Sequence, residues 1–363
     1  MMKKLINSLL LLPAILLFMS CQDTVQEHVH LRPLADTIGF AHLDWQMDSV
    51  MARINKFGEY HPQASFKTYE GIPRVIIAPH DDYTYVGDLY KAALQSVRAN
   101  TVILFGVAHK AAALNLEDRI VFDSYDYWSG PYGRVKVSPM REEIILGLPN
   151  ELFEVNDSMH RMEHSLEALI PFLQYFNRDV EIVPILVPYM SFEHMQEIAA
   201  PLAAAIDKAT IGEGLGWGLD FAMVITTDAV HYGDEDWGGK DFARYGTDSA
   251  GYAQALALEH AIMDTLSGAL NPGKLEAFCD ITVEEEDYHK YKWTWCGRYS
   301  VPMGLLTAFE LNERLSDEPL YGSIIGYANS IDHPRLRVDD LRMGVTAPAN
   351  MHHWVGYAAL GYE

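Results

Sequence analysis

Positive charge is scarce in this chain. Its 363 residues hold 27 Lys and Arg against 50 Asp and Glu, a formal net charge of −23. Nucleic-acid binding depends on cations that neutralise phosphates, so this balance excludes nucleic acid as the main partner. Cysteine is scarcer still. Three cysteines cannot build a disulfide scaffold. Charged residues make up 21% of the chain and hydrophobic residues 49%, which excludes an intrinsically disordered protein. No long apolar run follows the first twenty residues, so the body is expected to be soluble. Residues 34–363 contain no internal repeat, low-complexity tract or clear linker. The length would allow two domains, but the missing linker favours one. Histidine, by contrast, is plentiful at fifteen.

The first twenty residues read as an export signal. Lys3 and Lys4 precede an apolar run from Leu5 to Met19, the order of a basic n-region and a short hydrophobic h-region. The run is shorter than the roughly 20 residues a membrane-spanning helix requires. It ends in Phe18-Met19-Ser20-Cys21, which resembles the lipobox of bacterial lipoproteins. The expectation is a signal peptide over 1–20, a lipid on Cys21, a polar tether over 21–33 and one folded domain over 34–363. The only membrane contact expected is through that lipid, on the periplasmic side or outer surface of a bacterial envelope.

The body alternates strand-like and helix-like segments. Val75–Ala78, Thr101–Phe105, Glu181–Val187 and Phe221–Thr226 are short runs rich in β-branched and apolar residues, as buried strands are. Between them, Gly87–Ala99 places Leu89, Ala92, Ala93 and Val97 on one helical side. Met140–Leu148, Ser165–Tyr175, Phe192–Ile206, Thr247–Leu266 and Pro302–Leu315 also read as helices, and Ile324–Ala328 and Val355–Leu360 as closing strands. This alternation predicts an α/β domain with a mainly parallel central sheet flanked by helices.

Polar residues gather after the strand ends, where open α/β sheets bind ligands. His80, His109 and the segment Asp228–His231 each follow a predicted strand. Cys296 sits before a predicted helix. If they share one edge of the sheet, His80, His109, His231 and Cys296 form a metal site, with imidazole and thiolate suiting Fe, Cu or Zn over Mg or Ca. Asp228 is spaced to orient the His231 ring. In Glu163-His164-Ser165-Leu166-Glu167, the acids and serine suit a helix start. His164 and Glu167, at i and i+3, would share a face toward the site and orient substrate or move protons. Asp81 and Asp82 have three open roles: metal ligands, solvated acids, or acceptors for loop amides.

In order along the chain, these segments resemble the Memo family, also called AmmeMemoRadiSam system protein B. The resemblance is carried by Ala78-Pro79-His80 with Tyr83 and Gly87, and by Phe105-Gly106 with His109. It continues in Glu163–Glu167 with Pro171-Phe172-Leu173-Gln174, Val183–Leu186, Thr227-Asp228 with His231-Tyr232, Cys296-Gly297, and Val355–Ala359. It implies a fold similar to class III extradiol dioxygenases and a pocket whose metal-binding histidines and cysteine match His80, His109, His231 and Cys296. It also implies iron or copper as the metal, oxidative chemistry on a small molecule, and Asp228 and the Glu163–Glu167 segment as pocket motifs. The sequence departs from the family at Asp81-Asp82, where Ala-Gly is usual. In an oxidising compartment, pairing of Cys296 with Cys279 would remove the thiolate. Two other functions compete with a dioxygenase-like oxidoreductase. One is a non-enzymatic metal or ligand carrier at the cell envelope. The other is a zinc hydrolase or deacetylase, suggested by the faint likeness of Pro79-His80-Asp81-Asp82 to the His-Pro-Asp-Asp motif of one deacetylase group.

Overall fold

Three predicted strands lie side by side at the centre of the molecule. In the computed structural model, which describes residues 29–363, Phe221–Thr226 pairs in parallel with Val75–Ala78 on one side and with Thr101–Val107 on the other. Glu181–Val187 extends the parallel run beyond Thr101–Val107, and Gly133–Val137 extends it once more. The expected export signal and Cys21 lie outside the described residues.

Neighbours on both sides turn the sheet mixed. His353–Tyr362 runs antiparallel to Val75–Ala78, and Tyr321–Asn329 antiparallel to His353–Tyr362. Thirteen strands of the described residues belong to this sheet, which stays open rather than closing into a barrel. The central strands are almost wholly buried on both faces, because helices cover them. Met140–Gly147, Phe192–Thr210 and Ser300–Leu315 pack with Val75, Ile103, Ile185 and Ile225 on one side. Asp44–Tyr60 and Tyr83–Leu94 pack with Ile76, Val102 and Val224 on the other. Alternate residues of each strand thus feed two separate apolar layers, as the strand period of two requires. The expected single α/β domain with a parallel centre is the one observed.

Some elements depart from the sequence expectation. The helix expected at Gly87–Ala99 begins at Tyr83 and ends at Leu94. The helix expected over Ser165–Tyr175 is a 3₁₀ turn, Glu167–Leu169, leading into Ile170–Phe176. The expected tether also needs correction at its end. Leu31–Arg32 pairs with Tyr127–Trp128 as an edge strand, and Arg32 is fully buried. A charge so deep needs a partner. Arg32 meets Glu167 at 2.5 Å and also donates to the carbonyls of His160 and Glu163. The fold therefore begins before residue 34. Among the described residues, no helix is long and apolar enough to cross a membrane.

Candidate metal centre

The site is built where three adjacent parallel strands end. Val75–Ala78 runs into Pro79-His80, Phe221–Thr226 into Thr227-Asp228, and Thr101–Val107 into Ala108-His109. Neighbouring strands lie about 4.8 Å apart, so side chains leaving three of them at one edge can meet. His80 is fixed from two sides. Its backbone N–H donates to Asp228 Oδ1 at 3.0 Å, and its Nδ1 lies 2.9 Å from Thr226 Oγ1. Its Nε2 is left facing Asp228 Oδ2 at 3.4 Å and Cys296 Sγ at 3.4 Å.

Cys296 arrives from the far end of the chain. Its backbone segment bridges Val230 through Trp295, and the Gly297 N–H donates to Thr227 Oγ1 at 2.9 Å. A Cβ on Gly297 would stand 2.3 Å from that same oxygen, so only glycine lets the loop come this close. The Cys-Gly and Thr-Asp pairs are therefore two halves of one contact.

His109 completes a cluster of three. Its Nε2 is 2.9 Å from Cys296 Sγ, and donor atoms of His80, His109 and Cys296 all lie within 4.8 Å of one another. Metal bonds of about 2.0–2.3 Å at a tetrahedral angle place donors about 3.3–3.7 Å apart. The His80–Cys296 spacing matches, and the His109–Cys296 spacing needs to open by about half an ångström. The other ring nitrogen of His109 is held by Glu163, Nδ1 to Oε1 at 2.8 Å. The opposite carboxylate oxygen accepts the His109 backbone N–H at 2.7 Å. A carboxylate behind a histidine fixes the ring and makes its free nitrogen a better donor. Glu163 is itself held by the N–H groups of His164 and Ser165 at 2.9 and 3.0 Å.

The electrostatics follow from this crowding. Burial alone would raise the Cys296 pKa, but the His109 and His80 rings outweigh it and hold the thiol well below its usual range. Burial alone would lower His109, but Cys296 and Glu163 outweigh it and hold the ring well above. For His231, burial is likewise outweighed by Asp228 and Cys296, and its pKa is pushed up to about 10. His164 moves the opposite way. Its ring stacks on His109 with centroids 4.9 Å apart, and burial together with that neighbouring cation lowers it. Glu163 is held well below the carboxylate range by His109 despite its burial.

This donor geometry can be set beside known proteins. The Memo-like protein family matches residues 45–335, which include every residue of the cluster. The chain belongs to the Memo family. It is similar to a MEMO1 family protein of Methanosarcina barkeri, 31% identical over 159 residues, covering 43% of this chain and 54% of the relative. A MEMO1 family protein of Pyrococcus furiosus is 30% identical over 166 residues, covering 44% and 52%. One of Aquifex aeolicus is 30% identical over 162 residues, covering 44% and 55%. The matches thus span about half the length of these curated relatives.

In this Memo-family fold, the sequence-predicted residues separate into groups. His80, His109 and Cys296 share one cluster. His231 stands beside it, its Nε2 buried, 3.9 Å from Asp228 Oδ2 and without a hydrogen-bond partner among the described residues. Asp228 faces both His80 and His231. His164 lies beside the cluster, its ring 5.9 Å from that of His80 and its side chain partly exposed. Glu167 points elsewhere. Its carboxylate is taken up by Arg32 and by the N–H groups of Ala35 and Asp36, although the Ala168 N–H donates to the His164 carbonyl across one helical turn. Glu163, read from the sequence as part of a helix start, is the residue that reaches the site.

Asp81 and Asp82 are acceptors. Asp81 Oδ2 accepts from Tyr357 Oη at 2.5 Å, and Asp82 accepts the Thr346 N–H at 2.5 Å. Where the family usually has Ala-Gly, the two acids tie the first histidine loop to the C-terminal segment. Cys279 and Cys296 are both free thiols. Cys279 is buried in an apolar layer that pushes its pKa up, which makes it inert.

Proposed function

We propose that this Memo-family protein is an exported metal-dependent oxidoreductase of dioxygenase-like type, with iron or copper held by His80, His109 and Cys296. The carrying observation is the meeting of two imidazole nitrogens and a thiol, each ring oriented from behind by Thr226 or Glu163. This soft, nitrogen–sulfur donor set suits a redox metal or zinc and not magnesium or calcium. The orphaned, buried Nε2 of His231 supports it as a fourth ligand or a proton donor. When bound, iron or copper supplies one-electron chemistry that these side chains lack.

The chain's own groups divide the remaining work. Glu163 and Thr226 fix the ring orientations of His109 and His80. His164, lowered in pKa and partly exposed beside the cluster, is neutral at physiological pH and accepts a proton from an arriving small molecule. His231, backed by Asp228, holds a proton to donate. The basic, apolar, Ser20-Cys21 pattern of the N-terminus supports attachment of the body to a bacterial envelope through a lipid on Cys21.

Oxygen uptake by iron- or copper-loaded protein, over a panel of catechols and other reductants, tests the activity. Metal-dependent uptake that falls on His164→Ala supports it. Tight, reversible metal binding with no uptake across the panel favours the carrier function. Detergent-phase partitioning that is lost in Cys21→Ser tests the anchor.

A further inference from the structure

Three arginines are deeply buried among the described residues, and two of them have carboxylate partners. Arg32 meets Glu167 and Arg141 meets Asp123, each at 2.5 Å. The third, Arg298, is only 3% exposed yet forms no ion pair with any described residue. Its guanidinium lies 3.3 Å from the centroid of the Tyr291 ring and 4.6 Å from that of Tyr299. Nη2 donates to the His289 carbonyl at 3.2 Å. Nε is buried and has no partner among the described residues.

Tyrosine faces steady a cation, but they leave its in-plane N–H groups unused. Buried charges are normally paired, so an arginine kept in this state is set up for an anion from outside. Arg298 also lines a cavity of about 60 Å³ together with His109, Cys296, Tyr189, Tyr291 and Tyr299. That space is several times the roughly 10–15 Å³ that one water requires, and it opens onto the donor atoms of the metal centre.

We propose that Arg298 is a carboxylate-binding subsite, so that the substrate of the centre is a small carboxylic acid whose anion rests on Arg298 while its other end faces His109 and Cys296. The proposal rests on the reading of that cluster as a metal centre. The planar guanidinium fork matches a planar carboxylate. A single cation between tyrosine walls also balances one negative charge, which favours a carboxylate over a phosphate dianion.

Ligand-observed NMR with acetate and its neutral isostere acetamide tests this. It is run on metal-free protein, so that no metal holds the acetate, for wild type, Arg298→Met and Arg298→Lys. Wild type is expected to bind acetate in preference to acetamide. Arg298→Met is expected to bind acetate about ten- to hundredfold more weakly, the scale of a lost charged hydrogen bond. Arg298→Lys, which keeps the charge and loses the fork, should fall between them. Equal binding of acetate and acetamide by wild type overturns the proposal without any variant. Acetate binding unchanged in Arg298→Met overturns it too, and so does binding of inorganic phosphate more tightly than acetate. Zinc titration of the same proteins separates the two readings. If wild type takes up no zinc but acetate preference still depends on Arg298, the metal reading fails and the subsite stands. If zinc binds wild type and Arg298→Met alike while acetate preference survives the substitution, the subsite fails and the metal centre stands.

Discussion

His109 Nε2 stands 2.9 Å from Cys296 Sγ, joining the end of a central strand to a loop 187 residues away. The pair combines a low-pKa thiol with a high-pKa imidazole. A metal replaces the protons of such a pair and binds the thiolate directly. Cobalt(II)-loaded protein is therefore expected to show an intense thiolate-to-metal band in the near ultraviolet. Cys296→Ser should abolish that band and weaken cobalt binding at least about tenfold. An unchanged spectrum would remove Cys296 from the centre.

Glu163 would act on a bound metal through His109, whose Nδ1 it holds at 2.8 Å. Glu163→Gln keeps the shape of the side chain and an acceptor oxygen but loses the charge behind the ring. Losing a partner of this kind lowers metal affinity about 10–100-fold. Competition with a chromophoric chelator measures this. Glu167→Gln serves as the control, because Glu167 faces Arg32, and its metal affinity should match wild type.

The Arg32–Glu167 pair holds the edge strand to the turn that carries Glu163. Breaking a buried pair from one side leaves a stranded charge and costs about 3–5 kcal/mol. Arg32→Met should lower the urea-unfolding free energy by that amount while the folded fraction keeps its metal stoichiometry. A loss within experimental error would mean that the edge strand contributes little to the fold.

Glu259 gives the stability a pH dependence. It is fully buried, and its carboxylate accepts from Trp293 Nε1 at 2.6 Å, Trp295 Nε1 at 2.7 Å and the Val230 N–H at 3.1 Å. These contacts brace both the His231 strand and the Cys296 loop. Burial outweighs the donors and pushes Glu259 from 4.5 up to about 7. Across that window the folded chain keeps a proton that the unfolded chain has released, so stability falls as pH rises. The fall is up to about 3 kcal/mol. Glu259→Gln remains neutral throughout and should remove this slope. Urea unfolding at pH 4.5 and pH 8 for both proteins checks it, and equal slopes would contradict it.

Much of this was legible in the sequence. The central strands were visible as apolar runs of strand length, and His80, His109 and Asp228 followed their ends directly, where backbone geometry leaves side chains little choice. Cys296 was visible as Cys-Gly, and the structure gives the reason in the approach of Gly297 to Thr227. Glu163 and Glu167 were harder to separate. Both lie beside His164, and helical spacing favoured Glu167. A helical turn does form from His164 to Ala168, but the buried Arg32 and the N–H groups of Ala35 and Asp36 take up the Glu167 carboxylate, and these partners are distant in sequence. The role of Arg32 was hidden for another reason. Its polar surroundings in sequence matched a tether, and its carboxylate partner is 135 residues away. Asp44–Tyr60 lies outside the elements expected from the sequence, although Met47, Val50, Met51, Ile54 and Phe57 recur along one helical face. Its helix is stabilised mainly by packing of Met47, Val50, Met51 and Ile54 against the sheet layer.

His80, His109 and Cys296 are placed to bind one metal together. X-ray absorption at the metal edge, on protein purified without oxygen and loaded with one equivalent of iron or copper, tests it most directly. One sulfur at about 2.3 Å and two or three imidazole nitrogens at about 2.0–2.1 Å are expected, with binding lost in the double variant His80→Ala, His109→Ala. A spectrum without sulfur, or a double variant that binds metal as well as wild type, would contradict it.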